Sequence, residues 1–172
     1  MLINPVNNIG TFQAGEPAEA QHRCGANPHR ILVVDDDFSI RELGAVVLSA
    51  SGYQVDTAED GEAGWEALHA SSYDLLITDN TMPKVSGVEL VKNMRSARMT
   101  MPVVLASGAI PSEAVNRNSS LQIAATLLKP FTGDELLGTV KKVLRETDSA
   151  REQMEPMPIW QSQRSSDALR LR

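Results

Sequence analysis

Five short apolar runs punctuate the middle of the chain, over 30–35, 53–58, 74–79, 102–107 and 124–129. Two of them, Ile31-Leu32-Val33-Val34 and Leu75-Leu76-Ile77, are continuous rather than alternating, which suits strands covered on both faces. Between the runs the apolar spacing becomes helical. Ile40, Leu43 and Val47 share one face over 39–51, and Leu136, Val140, Val143 and Leu144 share one over 133–146. Further helices are expected over 61–71, 87–97 and 112–118, the last carrying the poor helix formers Asn116 and Asn118. Ser39-Ile40-Arg41-Glu42, Ser86-Gly87-Val88-Glu89 and Thr132-Gly133-Asp134-Glu135 each read as a capping box that starts a helix.

Regular strand–helix alternation with right-handed crossovers predicts an α/β fold. The expected form is a flavodoxin-like, doubly wound, five-stranded parallel sheet, (βα)5, with strand order 2-1-3-4-5. The flanks lack this periodicity. Residues 1–28 are expected to form a flexible extension and 148–172 a flexible tail, around one domain over 29–147. In the tail, Met154-Glu155-Pro156-Met157-Pro158 opposes regular structure.

Composition narrows the function classes. The chain has 172 residues, a size that favours one domain, and 42% hydrophobic content against 4% aromatic, so the core must be aliphatic. The net charge is -6 and no basic stripe runs along any segment, so direct DNA binding is not expected. The 26 residues after 146 are also too few for a winged-helix DNA reader. Cys24 is the single cysteine, which excludes an internal disulfide and cysteine-rich metal sites. No segment reads as a signal peptide or reaches membrane-spanning length, so a cytoplasmic protein without membrane association is expected.

The strand ends carry the chemistry. The first run ends on Asp35, Asp36 and Asp37, the third on Asp79, and the fifth on Lys129-Pro130. In the expected order strands one and three are neighbours, so their acids flank the switch point where α/β sheets bind ligands. Two carboxylates 4–5 Å apart repel by about 3–4 kcal/mol at an effective dielectric of 20. An oxygen-only donor set selects a hard cation, Mg²⁺ above others. An aspartate nucleophile beside that cation would form an acyl phosphate, with Lys129 as a point cation and the Ser107 hydroxyl as a further donor. Asp37 is the better candidate for capping the first helix.

With these residues in view, 30–146 resembles the receiver domain of bacterial two-component response regulators. The matching residues are Ile31 to Asp37, Asp79 with Met82-Pro83 and Gly87, Ala106-Ser107-Gly108, and Lys129-Pro130-Phe131. The resemblance implies that Asp79 is the phosphoacceptor, and that Mg²⁺ is bound by Asp36 directly, Asp35 largely through water, Asp79 and the backbone carbonyl of Thr81. It implies that Ser107 is the hydroxyl switch residue, that Lys129 contacts the phosphoryl group, and that the Lys129–Pro130 bond is often cis. The implied partners are a sensor histidine kinase or a histidine phosphotransfer protein, with output through protein contacts and a homodimer on phosphorylation as one form of it. The result is a signalling switch that catalyses its own modification, not a turnover enzyme. One position departs: Thr126 stands where the family carries an aromatic switch residue.

Three alternatives remain open. A silent receiver would keep the fold for docking or dimerisation. A haloacid-dehalogenase-like phosphatase would also use a strand-end aspartate, but Asp79-Asn80-Thr81 lacks the second acid it needs two residues on. A flavodoxin-like nucleotide carrier would need a glycine-rich phosphate loop after the first strand, where acids stand instead. His69 reads as a surface residue of the second helix, and Trp65 and Trp160 lack the basic and aromatic neighbours of a base-stacking site.

Overall fold

In the computed structural model, residues 28–109 and 120–154 are described. The strands are β1 (Arg30–Val34), β2 (Gln54–Ala58), β3 (Leu75–Asp79), β4 (Val103–Ser107) and β5 (Ala125–Leu128). The helices are α1 (Phe38–Ala50), α2 (Gly61–Ala70), α3 (Gly87–Ser96) and α4 (Gly133–Met154). The sheet order is β2-β1-β3-β4-β5 and every pairing is parallel, as the alternating pattern predicts. The helix expected over 112–118 lies outside the described residues.

The continuous apolar runs serve both faces of the sheet. Ile31, Val33, Leu75 and Ile77 point into one core with Leu48 of α1 and Leu136, Val140, Val143 and Leu144 of α4. Leu32, Val34 and Leu76 point into the other with Leu68 of α2 and Leu90, Val91 and Met94 of α3. Successive strand residues face opposite ways, so uninterrupted hydrophobicity is what a sheet sandwiched between helices requires. Nothing in β3 or β4 is exposed, including the strand-end residues Asp79 and Ser107.

Local signals fix the helix starts. Ser86 and Thr132 form capping boxes with Glu89 and Glu135, as expected. The box expected at Ser39–Glu42 does not form. Asp37 caps α1, as expected of it, its carboxylate accepting from the backbone N–H groups of Ser39 (2.7 Å) and Ile40 (3.4 Å), which starts the helix one residue earlier. Asp60 caps α2.

α4 runs past the expected limit at 147. The helix continues through that residue to Met154, so 148–154 is helical. Two causes are visible. The sequence contains no glycine or proline from 139 until Pro156. The added turns are also fastened to the domain: the His29 ring lies 3.3 Å from Asp148 and 3.7 Å from Asp74, and Arg151 lies 3.7 Å from Asp74.

Candidate phosphoacceptor and metal site

The parallel sheet brings the strand-end residues to one edge. Register pairs Val34 of β1 with Thr78 of β3, and Asp79 with Ala106 of β4, so Asp35, Asp79 and Ser107 emerge on neighbouring strands. β5 completes the row, with the Lys129 N–H donating to the Ser107 carbonyl at 2.9 Å. The Lys129–Pro130 peptide is cis.

Asp35 and Asp79 are buried and Asp36 is exposed. One carboxylate oxygen from each lies within 4.8 Å of the others. Lys129 closes the cluster from the opposite side. Its Nζ is 2.6 Å from Asp35 Oδ2 and 2.8 Å from Asp79 Oδ1. The second oxygen of each buried acid takes a backbone donor: Asp35 Oδ1 accepts from the Asp37 N–H at 2.9 Å, and Asp79 Oδ2 from the Thr81 N–H at 2.8 Å. Both acids are thereby oriented before any ligand arrives.

The charges respond to burial in opposite ways. Burial pushes the Asp35 carboxyl above its ordinary range, with the Lys129 hydrogen bond and the Asp37 N–H opposing it. Burial alone would lower Lys129, but hydrogen bonds to Asp35 and Asp79 outweigh it and hold the ammonium above its usual value. Three acids and one cation therefore leave a site short of positive charge. Its donors are all oxygens, with no histidine or cysteine in the cluster, so the residues present fit a hard divalent ion such as Mg²⁺.

Ser107 is buried at the end of β4, and its hydroxyl is engaged locally. It donates to the Ala109 carbonyl at 2.7 Å and accepts from the Ala109 N–H at 3.4 Å. Thr81 is exposed in the loop after β3. Thr126, half-buried on β5, offers no ring to that part of the surface.

Sequence reasoning passed over one support of the site and named another, Gly87, without its steric reason. Arg41 donates from one guanidinium nitrogen to the carbonyls of Asp35 (2.7 Å) and Asp36 (3.1 Å), and its guanidinium lies over the Phe38 ring at 5.7 Å. Arg41 is one helical turn past Asp37, a spacing that could have suggested a side chain folding back on the acidic loop. Gly87 is the second. A Cβ there would collide with the Asp79 carbonyl, so the loop closes only because this residue has no side chain.

The chain is similar to known proteins over the same residues. The chain is 34% identical over 124 residues to the transcriptional regulatory protein DltR of Streptococcus agalactiae, covering 71% of this chain and 54% of that protein. It is 33% identical over 123 residues to the alkaline phosphatase synthesis transcriptional regulatory protein PhoP of Bacillus subtilis, covering 70% and 50%. The chain thus spans about half the length of the curated relatives it matches. Among solved structures, the chemotaxis response regulator CheY4 of Vibrio cholerae superposes with a TM-score of 0.62 at 30% identity, covering 68% of this chain and 99% of that one. TrrA of Thermotoga maritima, solved in complex with Mg²⁺-BeF, gives 0.59 at 37% identity, covering 67% and 98%. The response regulator receiver domain profile matches residues 31–141, and the chain belongs to that family.

Proposed function

We propose that Asp79 is the phosphoacceptor of this receiver and that the donor is a phosphohistidine on a sensor histidine kinase or a histidine phosphotransfer protein. The observation that carries this is the pairing of a buried, oriented aspartate with a lysine 2.8 Å away, beside two more acids. A carboxylate oxygen of Asp79 forms the new O–P bond while the P–N bond of the donor breaks. The bonding pair of that P–N bond stays on the imidazole nitrogen. Lys129 already touches Asp79 Oδ1 and can follow the transferring oxygens.

Asp35, Asp36, Asp79 and the Thr81 carbonyl would hold Mg²⁺. When bound, the ion would offset the acid cluster and the charge of the incoming phosphoryl group. TrrA, solved with Mg²⁺-BeF, supports this assignment by similarity. Ser107 would then leave the Ala109 carbonyl and donate to a phosphoryl oxygen, moving the segment that follows β4. Turning a 1:99 equilibrium into 99:1 by that exchange takes about 5.5 kcal/mol of differential stabilisation. The module is a self-modifying switch acting through protein contacts in the cytoplasm, its receiver unit beginning at residue 29.

The test is labelling of the purified chain with acetyl phosphate or phosphoramidate and Mg²⁺, read by intact mass. One phosphoryl group that hydroxylamine removes, as it does from an acyl phosphate, is expected on the wild type and none on Asp79→Ala. Labelling that survives that substitution would refute the assignment.

A further inference from the structure

The loop between Asp79 and α3 is held in a shape its own sequence does not favour. Val85 N–H donates to the Pro83 carbonyl at 2.8 Å, closing a three-residue turn around Lys84. Lys84 sits at φ 64°, the left-handed region, without being glycine. A γ-turn with positive φ is rare and strained, and a non-glycine residue remains in one only where its surroundings hold it.

Those surroundings are the start of α2. Lys84 Nζ donates to Asp60 Oδ2 at 2.6 Å and lies 3.5 Å from Glu62. The other oxygen of Asp60 accepts from the Ala63 N–H at 2.8 Å, so one nearly buried carboxylate both caps α2 and grips the loop. The Ala63 N–H, then the lysine, hold the Asp60 carboxyl below its usual range, so it is charged at neutral pH. Gly61 packs beneath the loop so tightly that a Cβ would collide with the Val85 carbonyl. At its base the loop is closed by the Gly87 N–H donating to the Asn80 carbonyl at 3.3 Å, and on its inner side Met82 is buried in the core. Lys84 is thus the tie at the loop's exposed apex, three residues after Thr81.

We infer that the Lys84–Asp60 pair is a positioning device for phosphoryl transfer, fixing the loop so that Thr81 meets the metal and the Asp79 carboxylate in one geometry. This rests on the phosphoacceptor reading above. The pair touches neither the acids of the site nor Lys129, so it acts only through the loop. Neither residue reads as chemical in the sequence, because Lys84 is a lone charge between Pro83 and Val85 and Asp60 is a helix cap.

The experiment measures acetyl phosphate labelling of the full chain against Mg²⁺ concentration, together with thermal unfolding, for Lys84→Gly, Lys84→Arg, Asp60→Asn and the Lys84→Gly/Asp60→Asn double variant. Lys84→Gly removes the ammonium but relieves the positive φ, so its unfolding temperature should not fall. Its Mg²⁺ concentration for half-maximal labelling should nonetheless rise roughly three- to tenfold, the scale of losing one charge-assisted hydrogen bond. Lys84→Arg should restore most of the wild-type response. Asp60→Asn keeps an acceptor for Ala63, and the double variant should need no more Mg²⁺ than the worse single one. A wild-type Mg²⁺ response in Lys84→Gly, or additive losses in the double variant, would overturn the inference. A wild type that takes no label would remove the phosphoacceptor reading and this inference with it.

Discussion

Replacing Lys129 with methionine tests the electrostatic account of the site. The ammonium is 2.6 Å from Asp35 and 2.8 Å from Asp79, and both acids are buried. At an effective dielectric of 20, each contact is worth about 6 kcal/mol of gross attraction. Without the lysine, the two acids face each other within 4.8 Å and repel by about 3–4 kcal/mol on the same scale. Most of the gross figure is offset by desolvation, and removing one partner of a buried pair usually costs about 3–5 kcal/mol. The ammonium keeps some contact with solvent, so the expected loss is about 3 kcal/mol in magnesium-free buffer at pH 7. Urea unfolding with and without Mg²⁺ measures it, and Mg²⁺ should stabilise the variant more than the wild type.

The pH dependence carries a sign. Asp35 has a folded-state pKa above its unfolded value, so its contribution is fully present below the unfolded value and lost as pH rises through the folded one. Loss of the lysine exaggerates this, so the stability deficit should close in acid and open towards neutrality. Lys129 is also raised on folding, so its contribution to the wild type should persist below its unfolded pKa and disappear as pH climbs through the raised value. A deficit in Lys129→Met that is indifferent to both pH and Mg²⁺ would refute the reasoning.

Three further outcomes follow from single contacts. Gly87→Ala forces a Cβ against the Asp79 carbonyl and should cost about 2–3 kcal/mol by thermal unfolding, with a loss of acetyl phosphate labelling larger than its stability change explains. Arg95→Met removes the guanidinium that donates to the carbonyls of Leu121, Met99, Met101 and Gln122, and should cost about 2–3 kcal/mol in urea. Arg95→Lys should recover little, since an ammonium cannot reach several carbonyls in a plane. Asp148→Asn breaks a half-exposed pair with His29 and should cost less than about 1 kcal/mol, with hydrogen exchange rising in the last turns of α4.

The sheet was readable because its strands carry the signal in themselves. An uninterrupted Ile31–Val34 and Leu75–Ile77 serve two cores at once, and only a sheet covered on both sides asks for that. The site was readable for a related reason: each strand hands its last polar residue to the same edge. At the start of α1 Asp37 and Ser39 both offer a cap, and Asp37, the better candidate, prevails because its carboxylate reaches two N–H groups at once. What escaped was mostly decided by contacts between residues far apart in sequence. The last turns of α4 are fastened to His29 and Asp74, far away in sequence, and periodicity alone could not reveal those contacts. The Lys84–Asp60 tie joins residues 24 apart, and no spacing rule anticipates such a pair.

The length of α4 gives the domain a strut. It begins four residues after Lys129, at the rim that carries Asp35 and Asp79, and its final turns are pinned to residues that precede β1 and β3, at the opposite rim. Twenty-two helical residues reach about 33 Å. Pivoted at one end, a rod of that length swings its other end by about 3 Å for every 5° of tilt. A small shift of its first turn, beside Lys129, would be magnified at the far end of the helix unless the contacts of His29, Asp74 and Asp148 hold that end in place.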